Sequence, residues 1–277
     1  MAMKTFTKLL LLIAGIVIVI YSCKKENEEP DPPQQTLTVN LGNDTSFVEG
    51  SSIILDAENP GAIYLWSTGE TTQSISVNTD GKYWVSVQLG EAKGSDTIAI
   101  QVQFKTIKVE TDFGDFRIWL YPETPLHRNN FLTLTDQGFY DSLLFHRVVY
   151  NFVIQGGDPE GTGYGGPGYE IPAEIIDTMH HRYGAVGAAR QADEYNPERK
   201  SNGSQFYIVS DPDGQSNLNA LYTVFGYVFS GIDAVFNISQ VEVDDNGRPV
   251  NDVFMKKLTI ELYTREELKN DFGFIIP

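Results

Sequence analysis

Cysteine is almost absent: the 277-residue chain has one, Cys23. A lone cysteine closes no intramolecular disulfide and builds no multi-thiolate zinc site. Positive charge is also scarce. Twenty Lys and Arg stand against 37 Asp and Glu, for a formal net charge of −17 and a pI near 4.5. So acidic a chain lacks the cationic surface that displaces counterions from phosphates, so nucleic acid is excluded as a partner. Long apolar runs are missing. The run Leu9 to Tyr21 has thirteen residues, short of the ~20 a membrane-spanning helix needs. Prolines number only 13 while 41% of residues are hydrophobic and 12% aromatic, which excludes a disordered chain and supplies a core. The length suits one large domain or two modest ones.

The amino terminus is an address. Lys4 and Lys8 precede the short apolar run, the pattern of a secretory signal peptide over residues 1–22. Cys23 follows in Ile20-Tyr21-Ser22-Cys23. This resembles the lipobox of bacterial lipoproteins, which implies lipidation of Cys23 and anchoring to a membrane of the cell envelope. Tyr21 departs from the small residue usual there, and an uncleaved signal anchor is the alternative. Residues 23–35, rich in charge and proline, read as an extended tether. Loss of Lys4 and Lys8 with the leader takes the net charge from −17 to −19.

Two domains follow by pattern. Residues 36–103 contain short alternating strands, among them Leu37–Leu41, Ser52–Leu55, Ala62–Trp66, Ser74–Val77, Tyr83–Val87 and Thr97–Val102. Strands this short and closely spaced predict a small β-sandwich. Asp80-Gly81-Lys82-Tyr83 resembles the tyrosine corner of immunoglobulin-like folds, with Trp66 as core tryptophan. An immunoglobulin-like or PKD-like module is expected, serving as a spacer or, alternatively, for adhesion. Residues 105–264 begin with two strands joined at Asp112-Phe113-Gly114. A helix follows, with Thr124 as N-cap, Pro125 at its first position and Gly138 at its end. More strands, and a second helix at Ile232–Ile238, predict a closed or nearly closed barrel. Residues 265–277 form an extension. Thr264 and Glu267 suit a capping box, and the apolar tail from Phe272 should dock on the barrel.

The most informative stretch is Phe145-His146-Arg147-Val148-Val149-Tyr150-Asn151-Phe152-Val153-Ile154-Gln155-Gly156-Gly157-Asp158. With Gly161-Thr162-Gly163, Asn202-Gly203-Ser204-Gln205-Phe206-Tyr207 and Val224-Phe225-Gly226, it resembles the cyclophilins, peptidyl-prolyl cis/trans isomerases. The resemblance implies a mainly β fold: the sandwich, then an eight-stranded antiparallel barrel capped by two helices. It also implies proline-containing peptides and unfolded exported proteins as partners, and no metal or cofactor.

Prolyl rotation itself needs no nucleophile. The barrier of ~18–20 kcal/mol comes from amide resonance, so a site that binds the twisted amide best lowers it. A guanidinium facing the prolyl nitrogen stabilises the lone pair as conjugation is lost. Arg147 matches the family's catalytic arginine. Phe152, Val153, Tyr207 and Leu218 match pocket walls. Gln155, Gln205 and the main chain of Ala189 match groups that hold the substrate backbone. Tyr222 stands where a histidine is common and offers a hydroxyl at the pocket edge. Asn217 replaces a common tryptophan, which implies weakened binding of cyclosporin, the family's inhibitor. Arg190 stands where many relatives carry asparagine. A proline-motif-binding or holdase module with little turnover is the alternative function.

Other signals read as structure. His146, Gly156, Gly157 and Phe225 are packing and turn positions. Gly161 to Gly166 satisfies G-x-G-x-x-G, but Pro167-Gly168 follows where a dinucleotide site needs a helix. The acidic turns at Asp211–Gly214 and Asp244–Gly247 lack EF-hand spacing. The polar stretch 191–201 reads as a surface loop, or alternatively as a substrate-selecting rim. His180-His181 reads as a surface pair.

Overall fold

The computed structural model describes residues 35–277. The leader, Cys23 and the tether up to residue 34 lie outside the described residues.

Period-two alternation builds the first half. Its strands are β1 (Thr45–Val48), β2 (Ile53–Asp56), β3 (Ile63–Trp66), β4 (Ser74–Val77), β5 (Gly81–Leu89) and the long β6 (Ala92–Glu110). One sheet runs β3-β5-β6-β1, with β1 parallel to β6, and β2 pairs with β4 apart from it. Tyr64 and Trp66, Ile75 and Val77, and Tyr83, Val85 and Val87 are buried while their neighbours are exposed. With Leu55, Ile98 and Ile100 they form one core. The Trp66 indole is 1% exposed, and its N–H donates to the Thr72 carbonyl at 2.8 Å. Tyr83 O–H donates to the Thr79 carbonyl at 3.0 Å.

The strand expected at Leu37–Leu41 does not form. Thr36 makes an isolated bridge to Lys93, and Leu37 N–H donates to the Lys93 carbonyl. A Cβ on Gly94 would lie 2.2 Å from the Leu37 carbonyl oxygen, so the segment presses on the β5–β6 hairpin and makes no ladder there. Further along β6, at Ile100–Gln103, pairs β1, a strand that sequence reasoning did not identify.

β6 continues without a break from the first half into the second. The division expected at 103–105 falls inside this 19-residue strand. After it come β7 (Phe116–Leu120), α1 (Pro125–Asp136), β8 (Leu143–Leu144), β9 (Arg147–Val149), β10 (Val153–Gly156) and β11 (Glu170–Ile171). Next are β12 (Ala185–Ala188), β13 (Ser201–Asn202), β14 (Phe206–Val209), β15 (Val224–Ser230), α2 (Ile232–Ser239), β16 (Phe254–Met255), β17 (Lys257–Thr264) and α3 (Arg265–Phe272). Eight strands neighbour one another in the order β17-β6-β7-β15-β12-β14-β10-β9, every pair antiparallel. The gap between β9 and β17 is bridged by β8 paired to β16 and by Val148 N–H donating to the Gly247 carbonyl at 2.7 Å. The chain is mainly β, with the expected eight-stranded antiparallel barrel. Its core takes Phe131 and Leu134 from α1, and Val235 and Ile238 from α2. The third helix, α3, opens with the capping box at Thr264 and Glu267.

Thr124 occupies the N-cap of α1 but does not cap it. Its hydroxyl donates backward to the Tyr121 carbonyl at 3.2 Å. The cap comes from a distant loop: Glu174 Oε1 accepts Leu126 N–H at 3.0 Å and Oε2 accepts His127 N–H at 2.9 Å. The tail docks as expected. Phe274 packs on Trp119 and Phe229, with ring centroids 5.6 and 4.8 Å away.

Glu49, just after β1, joins the two halves. It accepts Lys105 N–H at 3.0 Å and pairs with Arg128 of α1, whose side chain is 14% exposed. Glu49→Ala leaves that guanidinium largely buried and unpaired. The expected loss is about 2–3 kcal/mol of unfolding free energy in urea; a loss under ~0.5 kcal/mol, the usual effect of a surface change, rules out a structural role for the pair.

Candidate active site

Strand register aligns the site. Across β9, β10, β14 and β12 the pairs are Arg147↔Gln155, Gln155↔Tyr207 and Tyr207↔Gly187. The neighbouring row, Val148, Ile154, Ile208 and Val186, is at most 1% exposed and belongs to the barrel core. Side chains alternate across a strand, so the Arg147 row faces outward. Together with the Phe152 and 216–222 loops it bounds a cavity of about 240 Å³, lined by Arg147, Phe152, Val153, Gln155, Ala189, Arg190, Tyr207, Leu218 and Tyr222. Gln205 lines the adjoining hollow of about 590 Å³, which shares Gln155, Ala189 and Arg190. The structure thus brings the nine named barrel residues to one place. Asn217 is exposed and is not among the residues lining the cavity.

Polar bonds tie the row to the glycine-rich loop. Arg147 Nη1–H donates to Gln155 Oε1 at 3.4 Å, a long bond, and Gln155 Nε2–H donates to Gln205 Oε1 at 3.0 Å. Gln205 Nε2–H donates to the carbonyls of Gly163 (3.1 Å) and Gly165 (2.8 Å). The loop wraps a carboxylate rather than a phosphate. Asp158 accepts the backbone N–H groups of Glu160, Thr162, Gly163 and Gly165 at 2.8, 2.9, 2.6 and 3.2 Å. Burial alone raises the Asp158 pKa, but these donors outweigh it and hold the carboxyl below its ordinary value. A Cβ on Gly165 would meet Asp158 Oδ1 at 2.1 Å, so the wrap needs glycine there.

Sequence reasoning missed three contributors. Arg190 is a wall: its guanidinium lies 4.4 Å from the Tyr222 ring centroid, donates twice to the Leu221 carbonyl and pairs with Asp193 at 2.6 Å. Tyr222 and Arg190 both depart from the family pattern, and nothing local in the sequence shows that they stack. Gly187 is a space: a Cβ there would sit 2.4 Å from Tyr207 Cζ. His181, expected at the surface, is 2% exposed and hydrogen-bonded to Tyr207, whereas His180 is exposed. The reason is tertiary: His181 N–H donates to Asn219 Oδ1 and its carbonyl accepts Gln215 N–H, contacts His180 lacks. His146 is buried, with both ring nitrogens unpartnered, as a packing residue; burial holds its pKa below the ordinary histidine value.

The cavity offers an apolar slot, a guanidinium at one wall and amide groups along the rim. Its lining residues include no hydroxyl or thiol nucleophile beyond two tyrosines. That suits selective binding of a distorted amide better than bond-breaking chemistry. Gly187→Ala should push Tyr207 into the slot and raise KM about tenfold with the fold retained. An unchanged KM in a steady-state assay means Tyr207 has room that the geometry denies it.

Comparison with known proteins agrees. Residues 106–260 match the family described as cyclophilin type peptidyl-prolyl cis-trans isomerase/CLD. Peptidyl-prolyl cis-trans isomerase B of Bacillus subtilis is 46% identical over 126 residues, 45% of this chain and 82% of that protein. Peptidyl-prolyl cis-trans isomerase CYP18-2 of Arabidopsis thaliana is 36% identical over 151 residues, 53% of this chain and 88% of that protein. Among solved structures, a cyclophilin type peptidyl-prolyl cis-trans isomerase of Cryptosporidium parvum superposes with a TM-score of 0.53 at 29% identity, covering 57% of this chain and 97% of that one. A barrel of this order, an outward row with Arg147 beside a small cavity and a match over more than half the chain make this protein a member of the cyclophilin-type peptidyl-prolyl cis-trans isomerase family.

Proposed function

We propose that this protein catalyses rotation about X–Pro bonds in exported polypeptides, with Arg147 as the catalytic residue. The observation that carries the reading is the Arg147 guanidinium at the wall of the 240 Å³ slot, bonded on one side to Gln155. The prolyl ring enters between Phe152, Val153, Leu218 and Tyr207. Arg147 donates to the prolyl nitrogen as that atom becomes pyramidal and its lone pair is freed from resonance. Gln155 and Gln205 hold the substrate main chain, with the Ala189 backbone opposite. A prolyl ring seated against Phe152, Val153 and Leu218 would displace water there, which would strengthen the Arg147 hydrogen bond in the twisted state. A Cryptosporidium parvum relative has been solved in the presence of the dipeptide Ala-Pro, which supports a prolyl ligand for this slot.

The setting is inferred from the amino terminus. The basic and apolar leader, then Cys23 and the charged tether, support a lipoprotein held at the cell envelope. There its substrates would be exported chains whose folding waits tens to hundreds of seconds on proline isomers. The buried Trp66 and the Tyr83–Thr79 bond support an immunoglobulin-like spacer over residues 36–103.

Two experiments test these readings. In proline-limited refolding, Arg147→Ala should lower kcat/KM about 10²-fold, the usual cost of removing one donor aimed at developing charge. Equal rates for variant and parent favour a binding module without turnover. Expressed with its leader, the parent should take up a fatty-acid probe and Cys23→Ala should not. Equal labelling of both removes the lipoprotein reading.

A further inference from the structure

The atoms around buried His181 select one of its two neutral tautomers. Asn219 Oδ1 accepts the His181 backbone N–H at 2.8 Å, so that atom is an acceptor. The same oxygen lies 3.1 Å from His181 Nδ1, which therefore carries the ring proton. Nε2 is left with a bare lone pair, and Tyr207 O–H, 2.8 Å away, donates to it. The two rings lie 14° from parallel, with Tyr222 nearly perpendicular to both. Tyr207 is 5% exposed, and its hydroxyl has no other hydrogen-bond partner among the described residues. Asn219, His181 and the Tyr207 wall thus form a directed chain that ends at the prolyl slot.

We propose that His181 is a positioning residue for isomerisation: as a neutral Nδ1–H ring it holds the Tyr207 wall of the slot in place, and its protonation releases that wall. This rests on the isomerase reading above. A proton on Nε2 turns the acceptor into a donor. The Tyr207 hydroxyl must then turn its own hydrogen away, into surroundings that offer it no acceptor. The groups around His181 set when this happens. His180 adjoins it in the chain and disfavours a second positive charge, while Tyr207 and Tyr222 face the ring. Arg190 lies beyond Tyr222, on its ring. The 211–215 turn packs on the His181 main chain, with Gln215 N–H on its carbonyl and the Asp211 carboxylate held by Gln215 Nε2 at 2.6 Å. Arg182, next in the chain, lies over Tyr227. Burial lowers the His181 pKa from the ordinary 6.5; the Asn219 contact opposes this and His180 adds to it. The ring is neutral at pH 7 and gains its proton only on the acid side of 6.5.

The test is the pH profile of kcat/KM for an Ala-Pro-containing tetrapeptide, read by NMR exchange on the full chain from about pH 5 to 8. The parent should lose about tenfold per pH unit below an inflection on the acid side of 6.5. Relative to their own plateaus, Tyr207→Phe and His181→Gln should lack that limb. The same limb in all three, or a flat parent profile, overturns the proposal. Ring-nitrogen NMR of His181 decides independently of turnover. A proton on Nδ1 at neutral pH, with the pKa rising in Tyr207→Phe, is expected. A proton on Nε2, or a pKa unmoved by that substitution, overturns the assignment even if no isomerisation is detected. Failure of the isomerase reading alone would appear as absent turnover with the His181 titration as expected.

Discussion

The site depends on one constraint, the in-register pairing of β9, β10, β14 and β12. Side chains alternate with a period of two, so a single register decides which row fills the barrel and which faces the slot. The inner row is Val148, Ile154, Ile208 and Val186; the outer row is Arg147, Gln155, Tyr207 and Gly187. A slip of one residue would bury the guanidinium and expose the four apolar side chains. Core burial therefore enforces the position of the arginine, and stability and site geometry rest on the same pairing. Gly187 completes the arrangement by being empty, since Tyr207 occupies the space a Cβ would take.

The outer row is braced from both ends. At one end the chain from Arg147 through Gln155 and Gln205 reaches the 160–166 loop, which four backbone N–H groups tie to the Asp158 carboxylate. At the other end His181 and Asn219 hold the Tyr207 hydroxyl. Arginine and tyrosine side chains are long or wide, and each loses precision without such bracing. The Asp158 nest accounts for the glycine spacing that mimics a dinucleotide fingerprint. The same permissive backbone that can cradle a phosphate here encloses the protein's own anion.

Much of this was legible in the sequence, and the misses share a cause. Alternation marked β3, β4 and β17, and the motif resemblance marked Arg147, Gln155 and Gln205, because those signals lie in short contiguous stretches. β1 was missed because Thr-Ser-Phe-Val has little alternation and is held by parallel pairing to a strand some fifty residues away. Thr124 carried the local signature of a cap, but the Glu174 carboxylate took the amides, a contact no window of sequence contains. His181 looked like half of a surface pair because adjacency in sequence does not say which neighbour turns inward. Each miss is a tertiary contact overriding a correct local preference.

Energetics indicate how the named parts must share the work. The rotational barrier of ~18–20 kcal/mol is electronic, and each ~1.4 kcal/mol removed from it gains tenfold in rate. In the role proposed for Arg147, one charge-assisted donor would supply about 3–4 kcal/mol in a dry, preorganised site, or 10²–10³ in rate. Any acceleration beyond that must come from the slot favouring the twisted amide over both planar forms. A slot can do this only if its walls do not relax around the planar substrate. On the proposed mechanism, rigidity of Tyr207 and of the Gln155–Gln205 pair would be part of the chemistry, and both are braced by polar bonds at the slot. A wall held by packing alone could adapt to either planar isomer and would bind them as well as the transition state.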